Sequence, residues 1–284
     1  MAVILDARGL HKAFGAVTAA MNVNAAIERD SVVGMIGANG AGKTTFVNMV
    51  TGYLKPDSGV IHFEGHDITQ LAPRDITRLG ICRSFQIPQL YNTLSVFDNI
   101  MAGLGIVLRN AGLGGYFSRA DAVVPGHGVP AAEAADRLLE RFGLSKYRDH
   151  SAQVLPGGVR KLLDIALAMA VKPKVLLLDE PTSGVAAEEK FGIMDLIMSA
   201  VRAEGATVLF VEHDMDVVAR YAERVLAFYD GRIIADASPE VALADAEVRK
   251  YVVGQRHETP GTSGGAAVHA DTASGRGNEA SGHA

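Results

Sequence analysis

The stretch "GANGAGKTT", Gly37 to Thr45, decides how the chain is read. It fits the spacing G-x-x-x-x-G-K-[ST], which a chain of this length matches by chance on the order of 1% of the time, so the flanks must be consistent before it counts. They are. "VVGMIG", residues 32–37, is a continuous apolar run of the kind found in a buried strand, and Lys43 to Gly52 is a helix candidate stopped by Gly52 and then Pro56. Small residues let successive backbone N–H groups turn inward, so Gly37, Asn39, Gly40, Ala41 and Gly42 can wrap phosphate oxygens, and the following helix directs its positive end at them. Lys43 would reach the β and γ oxygens of a nucleoside triphosphate, Thr44 would place its hydroxyl on Mg²⁺, and Thr45 would add one near the α-phosphate.

A second part of such a site is an acidic residue at the end of a buried strand. "VLLLDE", residues 175–180, supplies two. Asp179 is suited to the Mg²⁺ shell, and Glu180 to orienting and deprotonating an attacking water where apolar walls exclude competing solvent.

The surrounding composition is that of a globular protein. The 284 residues are 48% hydrophobic and 21% charged, enough to bury a substantial core. With 27 basic against 32 acidic residues there is no general basic field for nucleic acid or anionic lipid. One cysteine, Cys82, excludes an intramolecular disulfide and fits a reducing cytosol. The N-terminus "MAVILDARGL" meets charge at residue 6, too early for a signal-peptide core. The most apolar stretch, "LLDIALAMAVKPKVLLLDEP", is interrupted by Asp164, Lys172, Pro173 and Lys174, short of the ~20 apolar residues of a membrane span. Any membrane role is therefore expected to be peripheral.

Along the chain, "VILDARGL" and "MNVNAAIERD" alternate like half-buried strands, and "GVIHFEG" is a short strand bounded by glycines. From about 95 to 171 the spacing turns helical, interrupted by the glycine-rich "RNAGLGGYFSRADAVVPGHGVP", which reads as a long surface loop. The last third alternates strand and helix through "KVLLLDE", "EEKFGIMDLIMSAVRAEG", "TVLFVEH" and "DMDVVARYA", then two strands about the Asp230-Gly231 turn. Such alternation predicts a mainly parallel sheet with covering helices. Residues 255–284 hold almost no large apolar side chains and are expected to be disordered; their three histidines lack ligand spacing.

Taken together, "GANGAGKTT", "SFQ", "GG", "LLLDEPTSG" and "VEHD" resemble, in order and spacing, the ATPase subunits of ABC transporters over residues 3–254. The segment "DITQLAPRDITRLGICRSFQIPQLYNTLSVFDNI", the insert before the second helix and the ending "SPEVALADAEVRKYVVG" are similar to the branched-chain amino-acid importers of that group. The resemblance implies an α/β fold: a RecA-like P-loop NTPase core, an antiparallel β subdomain and an α-helical subdomain near 87–172. It implies ATP and Mg²⁺ as ligands. Phe14 in "HKAFG" would stack on adenine, Gln86 would meet Mg²⁺ or water and sense the membrane partner, and His213 would contact the γ-phosphate. Leu155, Pro156, Gly157, Gly158 and Val159 stand where the family signature acts on a partner's ATP. The implied partners are a second ABC ATPase subunit, identical or different, integral permease subunits and, indirectly, a solute-binding protein, with the chain peripheral on the cytoplasmic face of the inner or plasma membrane. No nucleic acid is expected.

Two departures qualify this pattern. The signature is usually Leu-Ser-Gly-Gly-Gln, whereas Pro156 offers neither hydroxyl nor amide hydrogen. Ala186 stands where the family carries a residue that hydrogen-bonds across the dimer. The alternatives are a soluble ABC ATPase of translation or DNA repair, an ATPase of lipid or lipopolysaccharide export, and a regulatory subunit that binds ATP with little turnover. A single cradle and no sustained heptads argue against the first, the long insert against the second, and the intact Lys43, Asp179, Glu180 and His213 against the third.

Overall fold

A computed structural model describes residues 2–84, 89–113 and 120–254. Two sheets share one apolar interior. In the first, β1 (Val3–Phe14) and β2 (Val17–Glu28) form an antiparallel hairpin, with β4 (Ser58–Phe63) and β5 (His66–Asp67) added in the order β2-β1-β4-β5. The second takes β3 (Val32–Gly37), β6 (Ile81–Arg83), β7 (Val175–Asp179), β8 (Thr207–Val211), β9 (Arg224–Tyr229) and β10 (Arg232–Ala237) in the order β10-β9-β3-β8-β7-β6. All its neighbours run parallel except β10, which returns from β9 through Asp230 and Gly231, both at positive φ, as the Asp-Gly pair predicts.

The parallel strands are apolar on both faces because both faces are covered. β3 shows the division. Val33 and Met35 pack with the four-stranded sheet and with α1 (Lys43–Val50), through Phe46, Val47, Met49 and Val50. Val32 and Ile36 face the other way, into a core shared with α3 (Val96–Asn110), α4 (Ala131–Arg141), α5 (Gly157–Met169), α6 (Lys190–Glu204) and α7 (Met215–Tyr221). A short α2 (Pro73–Leu79) leads into β6. The functional consequence is directional. The parallel strands β3, β7 and β8 end at Gly37, Asp179 and Val211, along one edge of the sheet, where ligands of open α/β folds bind.

The insert between α3 and α4 is not only a surface loop. In its described part Val124 is fully buried, its amide donates to the Val129 carbonyl at 2.9 Å, and His127 Nε2 lies 2.8 Å from the Ala170 carbonyl beyond α5. Burial lowers the His127 pKa, which favours the neutral ring at this contact. The tail, residues 255–284, lies outside the described residues, as does Gln86.

Candidate functional site

The loop after β3 is shaped by steric necessity. Gly37 (φ +152°) would place a Cβ 2.5 Å from the Phe228 carbonyl oxygen, and Gly42 (φ +108°) would place one 2.6 Å from that of Ala19. No side chain fits at either position, so the glycines let the loop close against β9 and the β1–β2 hairpin. Helix α1 starts immediately after Gly42, with Lys43 as its first residue. The lysine is buried, and its Nζ donates back to the carbonyls of Gly37 (2.6 Å) and Ala38 (3.0 Å). Burial pushes its pKa below the ordinary lysine range, and the carboxylates of Glu180 and Asp179 oppose that shift.

Residues 39–45 form one wall of a cavity of about 370 Å³ whose opposite wall holds Arg83, Gln89, Asp179, Glu180, Val211 and His213. Lys43, Thr44, Thr45, Asp179, Glu180 and His213 are thus brought together from two strand ends and one helix start. Glu180 has φ +47°, a left-handed conformation that costs a non-glycine residue on the order of 1 kcal/mol or more. Its amide donates to the Val211 carbonyl at 3.0 Å, and its Oε1 lies 3.2 Å from His213 Nε2. That pair bridges the ends of β7 and β8.

Three supporting residues lie outside the roles that the sequence motifs define. Arg83 at the end of β6 donates from Nη2 to Asp179 Oδ2 at 2.6 Å. Lys161, buried in α5, donates to the Asp179 carbonyl at 2.9 Å. Glu212, buried after β8, accepts from the Thr182 amide (3.0 Å) and hydroxyl (2.7 Å), fixing the turn that follows Glu180. Hydrogen bonds of charged groups that solvent screens weakly are strong, so each of these contacts holds one edge of the acidic wall. The only sequence signal for them is charge inside otherwise apolar or motif segments: "ICRSF", "GVRKLL" and "VEHD".

Phe14 does not line the cavity. It is half exposed at the tip of the β1–β2 hairpin, paired with Val17, with Lys12 Nζ 5.7 Å from its ring centroid. The same hairpin brings Ala19 against Gly42, so the tip stands beside the loop.

Residues 155–159 are also absent from the cavity wall. Leu155 is buried, Pro156 is the N-cap of α5 with φ −55° and ψ 152°, and Gly157 and Gly158 open the helix. The Pro156 carbonyl accepts the first helical bond, from the Arg160 amide at 3.0 Å. Amides of residues 157–159 precede that bond and point out of the helix start, as first-turn N–H groups do. Val159 packs against the helical core, which accounts for an apolar residue there. Ala186 is exposed.

Among the described residues no helix is long and apolar enough to cross a membrane. The family model described as ABC transporter matches residues 20–183, and the chain belongs to that family. Its fold is that of the family's ATP-hydrolysing cassette: a solved ATP-binding cassette of an ABC transporter, MJ1267 in its ADP conformation, superposes with a TM-score of 0.76 at 30% identity, over 88% of this chain and 98% of that one. Two curated relatives are narrower in name. A probable branched-chain amino acid transport ATP-binding protein LivG of Archaeoglobus fulgidus is 35% identical over 88% of this chain and 95% of its own length. The high-affinity branched-chain amino acid transport ATP-binding protein BraF of Pseudomonas aeruginosa is 33% identical over 89% and 98%.

Proposed function

We propose that the chain is the ATP-hydrolysing motor of an importer for a small solute, with branched-chain amino acids as the solute class. The observation that carries the hydrolytic part is the single cavity in which Lys43, Asp179, Glu180 and His213 converge. The solute class rests on the names of the two relatives above. The backbone amides of residues 39–44 and Lys43 would hold the phosphates, and Phe14 the base. The donors offered to a metal are hard oxygens, the Thr44 hydroxyl and the Asp179 carboxylate, with Gln86 as a third; one carboxylate plus substrate oxygens is the usual protein share of a Mg²⁺ site. When bound, Mg²⁺ would offset the charge on the β and γ oxygens. Glu180 would accept a proton from the attacking water, and His213, 3.2 Å from it, would hold that carboxylate and meet the γ-phosphate.

In this reading residues 155–159 act on the nucleotide of a second subunit, which fits their absence from the chain's own cavity. A groove of about 290 Å³, lined by Tyr53, Tyr91, Ile106, Leu167 and Val171, suits a docked permease helix. The chain would sit peripherally on the cytoplasmic face. The test is recovery of the chain with its membrane partners, followed by ATPase assay of the reconstituted complex with its binding protein and leucine, isoleucine or valine. Stimulation by one of these ligands is expected. Recovery with ribosomes or DNA and no membrane partner would overturn the reading.

A further inference from the structure

Arg83 belongs to no motif that holds phosphate, yet it touches the residue proposed to hold the metal. Its guanidinium spans two elements: Nη2 donates to Asp179 Oδ2 at 2.6 Å and Nη1 to Asn48 Oδ1 on α1, also at 2.6 Å. The side chains of Arg83 and Asp179 are only 10% and 13% exposed, so solvent screens the pair weakly. We propose that Arg83 is a positioning residue that competes with magnesium for Asp179 and so sets how much metal the cradle needs.

The competition is electrostatic and rests on the reading of Asp179 as a metal holder. Asp179 and Glu180 are adjacent carboxylates facing one cavity, and a fixed cation 2.6 Å from Asp179 supplies from within the protein the same compensation that a divalent ion would supply from outside. A metal that takes this carboxylate must weaken the guanidinium contact or share it, and like charges at such range repel. A guanidinium suits this task because its planar fork engages Asp179 and Asn48 together. Arg83 also forms part of the wall of the apolar groove behind the cavity, so any movement of the guanidinium on metal binding reshapes the surface proposed for the permease.

The test uses the full chain and two readouts. Binding of a fluorescent ATP analogue is titrated with MgCl2 from an EDTA-treated start, and melting is followed in EDTA without nucleotide. Arg83→Met is expected to lower the magnesium midpoint at least about 5-fold, because a competing charge is gone, and to lower the metal-free melting temperature by roughly 5 °C or more, because a buried carboxylate loses its partner. Arg83→Lys keeps the charge without the fork and is expected to fall between, which preserves the test if the methionine variant folds poorly. Asp179→Asn is expected to raise the midpoint. A midpoint that rises or stays fixed in both Arg83 variants while Asp179→Asn raises it would overturn the competition alone. A midpoint unmoved by Asp179→Asn would instead remove the metal role of Asp179 on which the inference stands.

Discussion

Two helices of this chain carry glycine at or just before their first residue and present first-turn amides, and they are built on opposite plans. Helix α1 starts behind Gly42, whose left-handed backbone is pressed onto the Ala19 carbonyl, and its first residue is a buried lysine facing two carboxylates. Helix α5 starts behind Pro156 in extended conformation, exposed, with only apolar packing below it at Val159 and at Gly158, where an added Cβ would meet the Ile193 Cδ1 methyl. The first start is enclosed by its own chain, and the second is presented outward. A helix N-terminus alone therefore specifies only a direction of positive potential; the residues opposite it decide whose phosphate it meets. Under the proposed dimer, α1 serves the chain's own nucleotide and α5 its neighbour's.

The sharpest way to break this contrast is at the enclosed site. Glu180→Gln keeps the fold and the φ strain but cannot take a proton, so turnover in the assembled complex is expected to fall by ~10²–10⁴ while ATP still binds. Size-exclusion chromatography with Mg·ATP should show the variant held as a closed dimer. Turnover at the wild-type rate would remove Glu180 as the base. Next in size is Gly42→Ala. The added methyl meets backbone and not a movable side-chain tip, and φ +108° adds strain, so a stability loss on the order of 1–3 kcal/mol and a loss of ATP affinity are expected. Gly158→Ala makes a similarly short contact, 2.7 Å, but with the Ile193 terminal methyl, which can turn away. Thermal melting of the two variants side by side should rank them in that order.

How much of this was legible beforehand depends on where each partner lies in the chain. The cradle was readable because loop, lysine and helix start lie within nine consecutive residues, Gly37 to Thr45. The sheet order was readable in kind, from alternation and unbroken apolar runs, but not in sequence of strands. For that reason the braces are not legible in the sequence: Arg83 and Asp179 are 96 positions apart, and Glu212 reaches Thr182 across 30, contacts that exist only once β6, β7 and β8 lie side by side. The insert reads as surface because it is rich in glycine and lacks a regular period, whereas the burial of Val124 and the contact of His127 with the Ala170 carbonyl are tertiary facts. Proline at 156 was legible as a departure, and its backbone shows why it is tolerated. An N-cap needs extended φ and ψ and no helical amide hydrogen, which is what proline supplies.

Pro156→Ser restores one hydroxyl and one amide hydrogen at the outward-facing start, and a hydrogen bond to a charged group is worth about 1.5–3 kcal/mol, of which only the part gained in the transition state raises the rate. A rise of roughly 3–10-fold in the ATPase rate of the assembled complex is expected, with no change in ATP affinity of the isolated subunit. An unchanged rate would mean that the amides of Gly157 and Gly158 suffice.

The smallest effect tests the separation of the two helix starts most directly. Val159 lies two residues into α5 and packs partly into the helical core, so Val159→Gln exchanges apolar contact for a solvated amide and is expected to cost about 1 kcal/mol or less. Because no residue of 155–159 lines the cavity that holds Lys43, Asp179 and Glu180, the isolated variant should bind ATP as tightly as the parent. Any consequence for turnover should then emerge only in the assembled complex, where α5 has a neighbour's phosphate to meet. A weaker ATP affinity in the isolated subunit would show that the start of α5 does reach its own cradle, and the division of labour between the two helices would fall with it.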